Sequence, residues 1–134
     1  QQDAALGFFS ASTWAPNMPS PENQRFVRDF EAGYGYVPAS YAAHAYDTAF
    51  LLDSAVKKVG GRLSDKDAVR AAIRAADFKS VRGPFRFGAN QFPVQDFWLC
   101  QVAKRADGKF QTETVRKVLE MNVDSFAAEC RMST

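Results

Sequence analysis

The sequence has little of what marks several large classes of protein. No apolar run approaches the roughly 18 residues of a membrane-spanning helix. Cysteine occurs twice, as Cys100 and Cys130, and histidine once, as His44. That is too few cysteines for a disulfide scaffold, and the spacing is not that of a metal-ligand set. Charge of one sign is also missing, since 17 Lys+Arg against 15 Asp+Glu leave a net +2. So small an excess gives no electrostatic case for nucleic acid, whose readers carry a strongly basic face. Gly33-Tyr34-Gly35 lacks the third glycine of a dinucleotide fingerprint and follows a helical pattern rather than a strand. No nucleophile with a base and no carboxylate pair stands out, so no catalytic residue, metal or cofactor is expected.

What is present is an ordinary globular composition with one excess. Hydrophobic residues make up 46% and charged residues 24% of the 134 positions, which excludes disorder, collagen-like repeats and coiled coil. The length favours one domain. Twelve Phe, four Tyr and two Trp reach 13%. A domain of this size buries roughly two thirds of its extended-chain surface, and eighteen rings exceed what one isolated core needs, leaving some for an interface. The chain opens Gln1-Gln2-Asp3, neither an initiator Met nor a basic leader. It is therefore expected to begin after processing or within a larger protein.

Patterning predicts the elements. Leu6 to Ser12 reads as a short buried strand with no obvious partner nearby. The three prolines among residues 14–21 make a loop. Ser20 as N-cap and Pro21 at N1 start a helix, with Phe26, Val27 and Phe30 on one face and Gly33 and Gly35 ending it. A second helix starts near Ser40 and stops at Gly60-Gly61. Ser64-Asp65-Lys66-Asp67 predicts a capping box with Asp67 at N3, and Val69, Ala72, Ile73 and Ala76 form that helix's buried stripe. Phe85-Arg86-Phe87 alternates like an exposed edge strand. Phe97 to Val102 is a strand apolar on both faces, Asp107-Gly108 a hairpin turn, and Phe110 to Leu119 the return strand. The tail from Asp124 to Cys130 holds a helical turn or two. Three central helices with strands at both ends suggest part of an α/β architecture whose other strands lie elsewhere.

Four candidate features follow. Trp14 leads a loop directly after a predicted strand, where open α/β sheets bind ligands; it either stacks on a ligand or plugs the core. Tyr41, in the first turn of the second helix, is a similar candidate, since a helix N-terminus favours a carboxylate nearby. His44 and Asp47, three apart on one helix face, either pair with each other or are satisfied within the fold. Cys100 and Cys130 either form a disulfide in an oxidising compartment, contributing roughly 3 kcal/mol, or remain two free thiols.

In combination the residues resemble a known family. Asn23 with Phe26-Val27, Tyr34-Gly35, Pro38, Tyr41-Ala42 and Tyr46-Asp47 look like the solute-binding proteins of branched-chain amino-acid-type ABC transporters. Gly60-Gly61, Asp67-Ala68-Val69, Phe78, Arg82-Gly83-Pro84-Phe85, Asn90, Pro93 and Gln95 to Trp98 continue the resemblance, and 124–130 also fits. It covers nearly the whole chain. The implied fold is α/β, an incomplete portion of a two-lobed type I periplasmic binding protein. In that fold three crossovers join the lobes and the ligand lies between them. By the same resemblance 1–134 is a carboxy-terminal fragment. Residues 1–90 belong mainly to the amino-terminal lobe after the second crossover, and 91–134 return to the carboxy-terminal lobe. The family's usual contacts to a ligand's carboxylate and amine come mostly from parts outside this chain.

The implied function is non-catalytic capture of an amino acid or a small organic or aromatic acid, by hinge closure, for delivery to an ABC transporter permease. The implied location is periplasmic, or extracellular and membrane-associated. Its other partner is the remainder of the binding protein or a second copy. Ligand binding is assigned on position to Trp14 and Tyr41 alone. The alternative is an extracellular ligand-sensing or regulatory module with the same fold. An unrelated small enzyme rests only on His44 and Asp47.

Overall fold

The computed structural model describes residues 2–131. The element order is β1 (Phe9–Ser12), α1 (Pro21–Tyr34), α2 (Ser40–Lys58), α3 (Lys66–Ala75), β2 (Phe85–Phe87), β3 (Pro93–Lys104) and β4 (Phe110–Asn122). Short 3-10 turns occupy Gln2–Ala5 and Ala127–Glu129.

Cap chemistry fixes the helices. The Ser20 hydroxyl accepts from the Asn23 N–H at 3.2 Å, and Pro21 follows at the position where a missing N–H costs nothing. Gly35 ends α1 in the left-handed region, at φ 78°, and its N–H donates to the Glu31 carbonyl. α2 runs to the Gly60-Gly61 pair as expected, with Lys57 and Lys58 in its last turn, where the macrodipole favours cations. α3 begins one residue later than the capping-box reading has it. Asp65, not Ser64, is the N-cap, and its Oδ1 accepts from the Ala68 N–H at 3.0 Å. Asp and Ser serve equally well at that position, and the residue three before a free N–H wins.

Two apolar clusters result. The main one unites Trp14, Met18, Phe26, Ala43 and Val81, with Phe30, Tyr46 and Trp98 packed against it. A smaller one joins α2 to α3 through Ala55, Val59 and Ala72, flanked by Val69 and Ile73.

The sheet is built around β3, and every pairing is antiparallel. β2 pairs with residues 93–95, β1 with 98–101, and β4 along most of the other edge. Register shifts between Gln95 and Cys100 bulge the β3–β4 ribbon, and bulges bend and twist a ribbon locally. At its far end, Gly108 adopts φ 82° in the turn. Glu31, near the end of α1, accepts from Arg105 through both guanidinium nitrogens and from Lys109 at 3.3 Å. This ion-pair triad ties the hairpin tip to α1.

Two strand expectations change. β1 covers only Phe9–Ser12, because Gly7 turns the chain at φ 82°. It is also exposed rather than buried, with Phe9 61% accessible. Its partner is β3, far along the same chain, with Phe9 opposite Gln101 and Ser12 opposite Trp98. Rings and aliphatic side chains left in solvent include Phe8, Tyr34, Tyr36, Val115, Leu119 and Phe126, so the expected surplus beyond one core is there.

Candidate functional site

Trp14 lies in the loop after β1 and is 1% exposed. Its indole N–H donates to Asn23 Oδ1 at 2.6 Å, and its ring meets Phe26 edge-on at 5.9 Å. The Asn23 amide nitrogen in turn donates to the carbonyls of Pro16 and Met18, at 3.0 Å each. One buried carboxamide from the first turn of α1 thus holds the whole loop. Of the two readings of Trp14, the structure places the ring in the core. Its one polar group is satisfied from within, so it offers no platform to a ligand.

Tyr41 is the opposite case, 86% exposed at the start of α2. The N-cap of α2 is Ala39, which has no side-chain acceptor. Among the described residues the N–H groups of Ser40 and Tyr41 have no protein partner. His44 lies one turn further on the same face, and its Nε2 sits 3.4 Å from Thr13 Oγ1, just beyond the end of β1. The end of β1 and the start of α2 therefore form an open edge with an exposed phenol and an uncapped helix terminus.

Asp47 does not pair with His44. Its Oδ1 accepts from the Val81 N–H at 3.0 Å, and its Oδ2 accepts from the Ser80 hydroxyl and from Arg82 Nε at 2.8 Å. Arg82 continues to Gln95 Oε1 at 2.8 Å and stacks over Phe85. This node ties α2 to the 80–85 turn and to β3. His44 is left with a pKa below its ordinary 6.5, first because burial disfavours its charge and next because Arg82 is near, with Asp47 opposing.

The structure does not bring the cysteines together. Cys100 is a free, buried thiol in β3 and Cys130 a free, exposed one in the tail. Burial raises the Cys100 pKa. Among the described residues no group of three or more His, Cys, Asp or Glu side chains could hold a metal ion.

Sequence reasoning missed two polar anchors. Asn23 entered only as one of the residues that carry the family resemblance, with no structural role. Asp96, buried in β3, accepts from the Met121 N–H at 2.8 Å and pairs with Lys117 Nζ at 2.7 Å. The available signal was a carboxylate directly before the apolar run from Phe97, and such a group must find partners when buried. Met121 itself sits at φ 41°, so the Asp96 carboxylate takes the place of a ladder acceptor where the ribbon is bulged. Two surface cavities are similar in size. One, of about 570 Å³, lies between α1, α2 and residues 77–79, with Tyr46, Phe50 and Phe78 as its apolar lining. The other, of about 560 Å³, lies beside Asp96 and Lys117.

The sequence model of a family described as periplasmic binding protein matches residues 1–109. No curated protein sequence matches the chain. Among solved structures, a solute-binding protein of an ABC transporter from R. palustris, in complex with benzoate, is 33% identical over 97% of this chain, with a TM-score of 0.85. A solute-binding protein from Rhodopseudomonas palustris BisB5, in complex with 3,4-dihydroxybenzoic acid, is 31% identical over 92%, with a TM-score of 0.80. A leucine-binding protein from Thermotoga maritima, 22% identical over 84% at a TM-score of 0.66, shares the fold. The chain covers 34%, 33% and 31% of these three structures respectively, about a third of each.

Proposed function

The chain belongs to the periplasmic binding protein family, and from that premise we propose that it serves as part of a solute-binding component for an ABC transporter. Its fold is a portion of the type I periplasmic binding protein fold. The solute is a small organic acid, and an aromatic carboxylate is preferred to an aliphatic amino acid. The observation that carries this reading is the 33% identity, over almost the whole chain, to a protein in complex with benzoate.

In this reading the chemistry is capture and release, with no covalent step. Residues 1–90 lie mainly in the amino-terminal lobe and 91–134 return to the carboxy-terminal lobe. The bulged stretch of β3 between Gln95 and Cys100 is where such a return can bend. Two lobes close on the solute, a membrane permease reads the closed form, and the setting is the periplasm.

This chain contributes the open edge at α2. An uncapped helix start is worth about 0.3–1 kcal/mol toward a carboxylate. A ring pair with Tyr41 adds about 0.5–1.5 kcal/mol. Micromolar binding needs about 8 kcal/mol. The larger share must come from elsewhere in the complete protein, so this chain by itself is incomplete for binding.

The test is a thermal-shift and calorimetric series on the complete protein with benzoate, 4-hydroxybenzoate and leucine. A solute at a hundred times its Kd stabilises by about 2.7 kcal/mol. The expected result is a shift with the aromatic acids and a smaller one, or none, with leucine. No shift with any aromatic acid overturns the proposal.

A further inference from the structure

The outer face of α3 carries a row of like charges that the helix itself does not call for. Lys66, Arg70 and Arg74 are all exposed and stand four residues apart, so they line one face over about 12 Å of helix axis. Like charges at that spacing repel and destabilise a helix. Lys66 is also the first residue of α3, at the end where the macrodipole disfavours a cation. Only Arg74, in the last turn, sits where the dipole favours it. Departures from local helix rules that gain nothing in the fold are expected at functional positions.

Neighbouring acids do not cancel the row. Residues 53–77 hold six Lys or Arg against four Asp. Of the 17 basic and 15 acidic residues in the chain, that leaves eleven of each sign elsewhere, so the whole net charge of +2 resides in this stretch. The pairs within it are Lys57 with Asp53, Lys58 with Asp77 and Arg70 with Asp67, and Asp65 caps α3. Arg62, Lys66 and Arg74 have no acidic partner among the described residues, and Lys66 Nζ donates to the Leu63 carbonyl at 2.8 Å. A helix face so charged is costly to bury, so it stays at the surface of the complete protein. It offers little to a protein partner. Apart from the cations, the exposed residues of α3 are Asp67, Ala71 and Ala75, whereas protein interfaces centre on a large apolar or aromatic anchor. A flat row of cations over alanine suits a surface of spread negative charge.

We propose that the outer face of α3 docks on an anionic phospholipid surface, with Arg62, Lys66 and Arg74 against the headgroup phosphates. The contact is electrostatic and reversible, and no helix of the described residues is long and apolar enough to cross the membrane. The proposal takes from the preceding reading only its membrane setting, and it does not depend on the solute.

The probe is a vesicle of phosphatidylcholine, either alone or in equal mixture with phosphatidylglycerol. Co-sedimentation of the complete protein is measured without solute or permease. Each Lys or Arg near an anionic surface changes partition about fivefold. At about 0.1 M salt, where charges reach about 10 Å, the expected result is binding to the phosphatidylglycerol vesicles and none to phosphatidylcholine alone. At about 1 M salt the reach falls to about 3 Å, and the protein should be released. Lys66→Gln/Arg74→Gln keeps good helix formers and should bind at least about tenfold more weakly. Should it fail to fold, Arg62→Gln, in the loop before α3, takes its place with a loss of about fivefold. Arg86→Gln/Arg116→Gln removes as much charge from exposed positions outside α3 and should bind as wild type does. The proposal is overturned by equal binding to both vesicles, by binding that persists at high salt, by undiminished binding of the α3 variants, or by an equal loss in the two double variants. A solute titration that fails while the vesicle results hold would strike the solute reading alone.

Discussion

Arg82 donates from Nε to Asp47 Oδ2 at 2.8 Å, with only 10% of one side chain and 3% of the other exposed. Removing one member of a buried pair strands the other, at a cost of about 3–5 kcal/mol. Arg82→Met should lower the urea midpoint of the complete protein accordingly, with the denaturant slope unchanged. The double variant Asp47→Leu/Arg82→Met should lose less than the sum of its single variants. An additive result would mean that the two residues act separately.

Asn23 should matter as much as a large apolar core residue. Asn23→Ala deprives one indole N–H and two carbonyls of their partner, and each buried unsatisfied group costs about 1–3 kcal/mol. Chemical denaturation measures the loss. A cost near zero would show that water reaches the loop at 14–18.

Tyr41→Ala should separate binding from stability. An exposed side chain of this kind changes stability by no more than about 0.5 kcal/mol. Calorimetry with benzoate should nevertheless show weaker binding than wild type. Unchanged affinity would remove Tyr41 from the proposed site.

Acid should destabilise the protein in two windows. His44 has a folded pKa below its ordinary 6.5, through burial and then Arg82, so on acidification the unfolded chain takes up that proton first. Stability is full above about pH 6.5 and falls as pH drops toward the folded value. Glu31 is held below its ordinary 4.5, mainly by its hydrogen bond from Arg105. Its contribution is present above about pH 4.5 and is lost below it. In melts across pH, His44→Gln should flatten the upper window only, and Glu31→Gln the lower one only.

Thiol labelling should distinguish the cysteines. Cys130 is exposed, while Cys100 is buried with its pKa raised, and the thiolate is the reactive form. A maleimide should modify Cys130 in the native protein and Cys100 only after denaturant is added, as read by peptide mapping. Equal labelling of both would contradict the burial of β3.

Local signals in the sequence located most elements because their causes are local. Ser20 followed by Pro21, and Gly35 at a left-handed position, act within a few residues of themselves. Asp107-Gly108 behaves the same way. The misreadings concern relationships across the chain. β1 looked orphaned because its partner β3 is remote in sequence. Trp14 stood open between two readings until Asn23, nine residues on, was seen to take its N–H. Asp47 finds its partners at residues 80–82, beyond two helices. Ser64 and Asp65 are chemically equivalent caps, so only geometry could decide between them. The open edge was half legible: Tyr41 was placed correctly in the first turn of α2, but its exposure depends on what packs nearby.

The pairing of β1 with β3 has a consequence for synthesis. Phe9 cannot meet Gln101 until roughly ninety further residues have left the ribosome, which at about 5–20 residues per second takes on the order of ten seconds. Throughout that interval β1, with the exposed Phe9 and the adjacent Phe8, lacks its β3 partner, and an unpaired strand is the kind of segment that pairs with other chains. Within this chain the nascent protein is thus most exposed to misassembly at β1, and slowing translation before Pro93 should lower its soluble yield more than slowing it after Lys104.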